Sequence, residues 1–134
     1  MSSCPNLTVR ENLALNDSRR ARSLRYFVPH QHNFQTGIRS STILSKKLDD
    51  PVNTLSGGQR QMLSLEMAMR SDRPLVILDE ITAALDTQTR VEAIDAIATL
   101  QAQGKGIVCI FHDPDISFRH YTELFLSSGQ LSVV

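Results

Sequence analysis

The 134-residue sequence carries no net charge, because its 14 lysines and arginines balance its 14 aspartates and glutamates. No overall field therefore draws the protein to a nucleic acid or to an anionic membrane. The segment SRRARSLR, residues 18–25, is locally basic. A solvated surface is the simplest interpretation of it, and an acidic partner or a lipid headgroup is the alternative. With 41% hydrophobic and 21% charged residues, the composition is typical of one soluble globular domain.

The sequence is also poor in cysteine and in long apolar runs. Its two cysteines, Cys4 and Cys109, show no disulfide-like pattern, and Cys109 lies in the apolar run GIVCIF, where cysteine usually packs as a small hydrophobe. No segment has the apolar length of a signal peptide or of a membrane-spanning helix. We therefore expect a cytoplasmic protein that reaches a membrane only through a partner.

Two predicted helices precede the middle of the chain. Residues 7–15, LTVRENLAL, read as a short helix that Thr8 caps, with Glu11 three positions later completing a capping box. Residues 41–55 hold one more predicted helix, which Pro51 closes because proline disfavours helical backbone at the preceding residue.

A stronger helical pattern follows from Gly57 to about Arg70. Met62, Leu65 and Met69 share one face of it, and no helix breaker follows the two opening glycines. This methionine stripe favours core packing over a cofactor contact.

The rest of the sequence alternates strands and helices. Apolar runs at 74–80 and 106–112 predict buried parallel strands, and residues 123–134 predict two strands around a Ser-Gly turn. A helix at 86–106, entered at Asp86 or Thr87, lies between the first two strands and stops at Gly104. The predicted apolar face of that helix comprises Val91, Ile94, Ile97 and Ala98. The pattern predicts an α/β fold with a parallel sheet and crossover helices.

The stretch LSGGQ stands at the start of the predicted central helix. A helix N-terminus presents unpaired backbone amides and about half a positive charge, which suits an anion. Gly57 and Gly58 would let a phosphate approach the backbone, Ser56 adds a hydroxyl donor, and Gln59 lies in the first turn. Taken alone, a glycine-rich loop before a helix is common and carries no function.

The stretch LVILDE ends a predicted strand with Asp79 and Glu80, at the edge where open α/β sheets bind ligands. An aspartate there can hold Mg²⁺, and the next carboxylate can orient or deprotonate a water that attacks a phosphate. AALD, residues 83–86, follows, and the next predicted strand ends at His112, which can donate to a phosphate oxygen. A strand ending in two acids, or a lone histidine after a strand, also has an ordinary structural explanation.

In this order and spacing, the motifs resemble the nucleotide-binding subunit of ABC (ATP-binding cassette) transporters. LSGGQ resembles the family signature, LVILDE the Walker B strand with its catalytic glutamate, AALD the D-loop and FHD the switch-histidine loop. LTVRENL resembles the opening of the family's helical subdomain. The resemblance implies a partial P-loop NTPase-type parallel sheet with crossover helices and an α-helical subdomain. It places the helical subdomain at residues 5–72 and part of the catalytic α/β core at 73–134.

The resemblance also implies a role for each candidate site residue. Glu80 and His112 would be catalytic, and Asp79 would bind Mg²⁺. The residues implied to contact ATP are Ser56, Gly57, Gly58, Gln59 and Asp86. Complete family members pair as homo- or heterodimers, head to tail, so that each signature motif faces ATP on the opposite subunit. They lie on the inner face of the cell membrane through a transmembrane permease subunit, and no nucleic acid is expected as a partner.

One family motif is absent from this sequence, which contains no G-x-x-x-x-G-K-[ST]. The family's adenine-stacking aromatic residue and Q-loop glutamine have no counterpart either. We therefore expect the chain to be the C-terminal portion of a nucleotide-binding domain and to be inactive alone. The resemblance also implies that the P-loop strand lies between the strands at 74–79 and 106–111, so that without it both would expose unpaired edges.

Two other functions stay open at this point. The chain could be a non-catalytic interaction module that donates its signature motif in trans or docks on a permease through residues 7–50. A soluble ABC-type ATPase of DNA metabolism is a further alternative. The zero net charge and the lack of long flanking coiled coils argue against that alternative.

Overall fold

The computed structural model describes residues 3–16, 41–80, 85–110 and 121–133. The helices in these ranges are α1 (Val9–Asn16), α2 (Thr42–Ser45), α3 (Gly57–Arg70) and α4 (Thr87–Ala102), with a 3-10 turn at Val52–Thr54. The strands are β1 (Leu75–Asp79), β2 (Gly106–Ile110), β3 (Leu124–Ser127) and β4 (Gln130–Val133). None of the helices in the described ranges has the length and apolar character needed to cross a membrane.

Helix α1 begins with the predicted capping box. The Thr8 Oγ1 atom accepts a hydrogen bond from the Glu11 amide at 3.2 Å, and Glu11 Oε2 accepts one from the Thr8 amide at 2.8 Å. One turn later, the buried Asn12 side chain accepts from the Cys4 amide at 2.7 Å and donates to the Cys4 carbonyl at 3.0 Å. Because these bonds satisfy its amide, Asn12 ties the preceding loop to the helix without leaving buried polar atoms unpaired.

The segment from residue 41 to residue 55 differs from the prediction. Helix α2 has only 4 residues, and Pro51 precedes the 3-10 turn instead of closing a longer helix. The backbone of this segment pairs with the N-terminal loop: the Val9 amide donates to the Asp50 carbonyl at 3.1 Å, and the Val52 amide donates to the Leu7 carbonyl at 3.0 Å. These long-range bonds satisfy backbone groups that a continuous helix would have used, so the local helical tendency yields to tertiary pairing.

Helix α3 has the predicted bounds and forms the centre of the described core. Its 14 residues pack against α1, α2 and α4. The hydrophobic residues that it buries are Met62, Leu63, Leu65, Met67 and Ala68. Met69 lies half-buried at the margin of the same cluster. The interpretation of the methionines as core residues is therefore confirmed.

Helix α4 buries a different face from the predicted one. Its buried residues are Thr89, Ala93, Ala96, Ile97 and Leu100. Val91 is 53% exposed and Ala98 is also exposed, so the prediction was right only for Ile97 and, in part, for the half-buried Ile94. Apolar residues thus lie on two overlapping faces of the helix, the predicted one and the buried one. The buried face carries Ala93 and Ala96, whose small side chains allow close packing against the neighbouring helix.

Strands β1 and β2 pair directly and in parallel. The register runs without interruption from Leu75 opposite Gly106 to Asp79 opposite Ile110. No other strand can lie between them, so the expectation that the P-loop strand separates them was wrong. A strand added to this pair would have to lie on an outer edge.

Among the described residues, one face of the β1–β2 pair packs against the core and the other is open. Leu78 is buried there, and Cys109 is half-buried beside it, where burial raises the pKa of its thiol to about 11. Cys109 packs against the hydrophobic core, as predicted for a small hydrophobe, although it is only half-buried. The other face exposes the large apolar residues Leu75, Ile77, Val108 and Ile110. The prediction of buried strands thus holds for one face alone.

Strands β3 and β4 form the predicted antiparallel hairpin. Their turn places Ser128 at φ 50° and Gly129 at φ 79°, the left-handed pair that a two-residue type I′ turn requires. Leu126 lies opposite Leu131 in the register.

Leu13→Ala should destabilise the fold strongly because Leu13 is fully buried in the core cluster. A cavity of this kind costs about 2–5 kcal/mol. Leu15→Ala is the matched control in the same helix, since Leu15 is 63% exposed, and its effect should stay within about 0.5 kcal/mol. Urea unfolding followed by circular dichroism measures both free energies. Equal effects of the two substitutions would contradict the placement of α1.

Candidate functional site

Helix α3 starts at a capping box formed by two of the predicted ATP-contacting residues. Ser56 Oγ accepts a hydrogen bond from the Gln59 amide at 3.2 Å, and Gln59 Oε1 accepts one from the Ser56 amide at 3.0 Å. The two bonds fix both side chains against the first helical turn. The sequence LSGGQ therefore builds a rigid helix entrance.

This entrance keeps several donors available. Ser56 Oγ only accepts in the capping box, so its hydroxyl proton can still be donated outward. In the part of the chain that the structure describes, no acceptor is recorded for the amides of Gly57 and Gly58, and first-turn amides have none within a helix. A Cβ atom on Gly57 would meet nothing within 4 Å, so packing does not demand glycine there. The geometry suits an anionic oxygen at the positive end of α3.

The two predicted acids lie where β1 ends. Asp79 is the last residue of the strand and is exposed, and Glu80 follows it. The Glu80 amide donates to the Ile110 carbonyl at 3.1 Å, while its backbone takes the left-handed value of φ 48°. Such a conformation is uncommon for a residue other than glycine and costs energy. The strand pairing thus holds Glu80 in a bend at the carboxyl edge of the sheet.

Strand β2 also ends at this carboxyl edge, because parallel strands end on the same side of a sheet. Asp79 lies opposite Ile110, the last residue of β2. His112 comes two positions later and lies outside the described residues, so its catalytic role stays a prediction. Within the described ranges, no group of three or more histidines, cysteines, aspartates or glutamates is placed to hold a metal ion. The exposed carboxylate of Asp79 offers the oxygen ligand that Mg²⁺ prefers, so this residue fits the predicted metal role.

Asp86 has a structural partner that the sequence interpretation missed. It caps α4, with Oδ1 accepting from the Thr89 amide at 2.9 Å and Oδ2 accepting from Thr89 Oγ1 at 2.9 Å. The pattern D-x-x-T was the available signal for this cap. The Thr89 amide, followed by the Thr89 hydroxyl, holds the pKa of Asp86 below its ordinary value. Its contact with ATP remains a prediction.

Asp86→Ala should lower the melting temperature at neutral pH and have a smaller effect in acid. The pKa of Asp86 is lower in the folded state than its ordinary 3.8, so its contribution is present above that value. The contribution is lost as the pH falls through the folded-state pKa. Melting temperatures of both proteins from pH 7 down to about pH 2 test this. A difference that stays constant over this range would contradict the cap.

The two halves of the candidate site lie on different elements. The Ser56–Gln59 cap opens α3 and the acids close β1, and residues 71–74 connect these elements. An open groove of about 510 Å³ lies beside α3 and β1 and is lined in part by Ser64, Arg73 and Ile77. Of the predicted site residues that the structure describes, none lines this groove, so it does not join the cap of α3 to the acids of β1.

A parallel strand pair flanked by a crossover helix, with acids at its carboxyl edge, is an α/β arrangement of the kind that binds ligands at that edge. The family model described as "ABC transporter" matches residues 1–83, which is more than half of the chain. The chain therefore belongs to the ABC transporter family.

Individual relatives agree with this assignment. The chain is 35% identical over 88 residues to the macrolide export ATP-binding/permease protein MacB of Campylobacter jejuni, a match that covers 66% of this chain and 14% of that protein. It is 43% identical over 100 residues to the tyrosine transport ATP-binding protein of Clostridioides difficile, with 71% and 39% covered. The chain thus spans well under half the length of these relatives.

A solved structure shares the fold. The structure of an inward-facing metal-chelate type ABC transporter superposes with a TM-score of 0.69 and 23% sequence identity. The match covers 100% of this chain and 54% of the other.

Proposed function

We propose that this chain is the part of an ABC transporter's ATP-hydrolysing subunit that supplies the signature motif and the catalytic acids, without the P-loop. The observation that carries the proposal is the Ser56–Gln59 capping box, which leaves outward donors at the start of α3. Its counterpart is the pair of acids at the carboxyl edge of β1. Both belong to a chain of the ABC transporter family.

The signature end of α3 acts on ATP that the opposite subunit holds. The Ser56 hydroxyl and the amides of Gly57 and Gly58 donate hydrogen bonds to phosphate oxygens. The positive end of the helix favours the negative charge that develops there. Gln59 contributes by holding Ser56 through the capping box.

The acids act on the nucleotide of their own side. When bound, Mg²⁺ supplies charge neutralisation at the phosphates, and the carboxylate of Asp79 would hold it. Glu80 orients the attacking water and accepts its proton. His112 donates a hydrogen bond to a phosphate oxygen.

Two features of the chain support a partner that carries a P-loop: the lack of that motif in the sequence and an exposed apolar face of the sheet. A P-loop must come from another polypeptide segment, because this sequence contains none. The apolar face of Leu75, Ile77, Val108 and Ile110 supports such a partner, since contiguous exposed apolar surface marks a site of association.

A second nucleotide-binding subunit and a transmembrane permease complete the proposed assembly. It would lie on the inner face of the cell membrane. Relatives named as a macrolide export ATP-binding/permease protein and a tyrosine transport ATP-binding protein support this association with transport. The zero net charge supports the exclusion of nucleic acid.

Titration with labelled ATP tests the proposal. The tyrosine transport protein of Clostridioides difficile offers a suitable partner, and the segment of it that precedes the matched region can be fused to this chain. The fusion should bind ATP in the presence of Mg²⁺, and the isolated chain should bind it far more weakly. Equal binding by both would contradict the proposal. Binding without turnover, with only changes at Ser56 mattering, would support the interaction module that donates its signature in trans.

A further inference from the structure

Lys105 bonds to the loop that joins the two halves of the candidate site. Its ammonium nitrogen donates to the Ser71 carbonyl at 2.6 Å and to the Arg73 carbonyl at 2.9 Å. Both acceptors belong to residues 71–74, the connection between α3 and β1. Lys105 itself lies between α4 and β2, so it brings a third part of the chain to this connection.

The backbone around Lys105 is fixed on both sides. The Lys105 amide donates to the Leu100 carbonyl at 3.3 Å, which anchors it to the end of α4. The next amide, that of Gly106, donates to the Pro74 carbonyl at 2.8 Å, at the entrance of β1. The ammonium group is therefore presented to the loop from a well-anchored base.

Charge strengthens these bonds. Ser71 is the C-cap of α3, and its amide still donates to the Met67 carbonyl. The carboxyl end of a helix carries a partial negative charge, so a cation bound to its last carbonyls is favourable. Hydrogen bonds from an ammonium group are also stronger than those between neutral groups.

We propose that Lys105 is a positioning residue that fixes the helix bearing the Ser56–Gln59 cap relative to the strand that ends in Asp79 and Glu80. The inference rests on the proposed function. Helix α3 is held by its own backbone hydrogen bonds and strand β1 by its pairing with β2, and residues 71–74 are the direct link between them. Lys105 fixes this link with two hydrogen bonds, and misplacement of catalytic groups by small distances lowers turnover.

Two substitutions separate the role of the ammonium group from that of the side chain's bulk. Lys105→Met removes the charge and both donors and keeps a side chain of similar length. Lys105→Arg keeps the charge and the donors. Lys46→Met is the matched control, because Lys46 is exposed and no side-chain bond is recorded for it in the described ranges.

Kinetics of the fusion with the P-loop-bearing segment test the positioning role. Lys105→Met should lower kcat about tenfold to a hundredfold and leave the KM for ATP unchanged, because the P-loop is not altered. Lys105→Arg should restore most of the turnover, and Lys46→Met should behave like the parent. Unchanged kcat in Lys105→Met, or a loss that appears in KM instead, would overturn the inference.

Hydrogen exchange in the isolated chain gives a readout that needs no activity. Lys105→Met should speed the exchange of amides in residues 71–75 about tenfold and leave residues 62–68 unchanged. No acceleration in 71–75 would show that Lys105 does not hold the loop, and equal acceleration along α3 would make it a general stabiliser. Either outcome overturns the inference. A parental fusion without turnover would instead refute the proposed function, and with it the positioning role.

Discussion

Glu80→Gln should abolish ATP turnover in the fusion that carries a P-loop while leaving ATP binding intact. Glutamine keeps the shape of the side chain but cannot accept a proton from the attacking water. Loss of a general base lowers turnover about 10²- to 10⁴-fold. Phosphate release measures turnover, and titration with labelled ATP measures binding.

The control for this substitution is Glu123→Gln, which makes the same chemical change at an exposed position just before β3. It should leave both turnover and binding at the parental level. Parental turnover in Glu80→Gln would show that the acid at the end of β1 is not the catalytic base. Loss of ATP binding in the same variant would show that Glu80 supports the nucleotide site in another way.

Ser56→Arg should have the second large effect, which is to block closure of the subunit dimer. The long side chain would fill the space in front of the Gly57 and Gly58 amides, where the phosphate of the opposite subunit is expected. Each half should still bind ATP, because the P-loop is elsewhere. Turnover and ATP-dependent dimerisation, followed by size-exclusion chromatography, measure the effect.

Ser56→Ala is the control for Ser56→Arg, because it removes the helix cap without placing a large side chain in front of the Gly57 and Gly58 amides. It removes the bond between the Ser56 hydroxyl and the Gln59 amide and should cost about 1 kcal/mol of stability. It should retain a larger fraction of dimerisation than Ser56→Arg. Parental turnover in Ser56→Arg would contradict the signature assignment.

The Thr8–Glu11 capping box could be predicted because its two residues are three positions apart and a short pattern specifies them. The Ser56–Gln59 box has the same spacing, but the sequence interpretation assigned both residues to ATP and did not predict their mutual bonds. The type I′ turn at Ser128 and Gly129 is also local. Strand bounds were right within two residues for β1 and β2, because apolar runs mark them.

Features that depend on distant partners could not be predicted. The pairing of Val52 with Leu7 replaces a helix that the local sequence favours. The buried face of α4 depends on which of two overlapping apolar faces meets the neighbouring helix, and periodicity alone does not choose between them. The bonds of Lys105 cross 34 and 32 positions, and no motif marks them.

In the candidate site, too, local features could be predicted from the sequence and features that depend on distant partners could not. The sequence placed LSGGQ at the entrance of a helix and the two acids at the end of a strand, because each is a short motif at the end of one element. It did not identify the left-handed backbone of Glu80, which depends on a bond to Ile110 in the next strand. It placed the entrance of α4 at Asp86 or Thr87 but did not identify the bonds from Thr89 that make Asp86 the cap.

The decisive test of the division of the ATPase site between this chain and a P-loop-bearing segment is steady-state phosphate release from Mg-ATP. It is measured for the isolated chain, for the P-loop-bearing segment and for their fusion. We expect that neither part turns over ATP alone and that the fusion does, with Glu80→Gln returning it to background. Turnover by the isolated chain above its own Glu80→Gln control would contradict the proposed function. So would a folded, ATP-binding fusion whose turnover does not depend on Glu80.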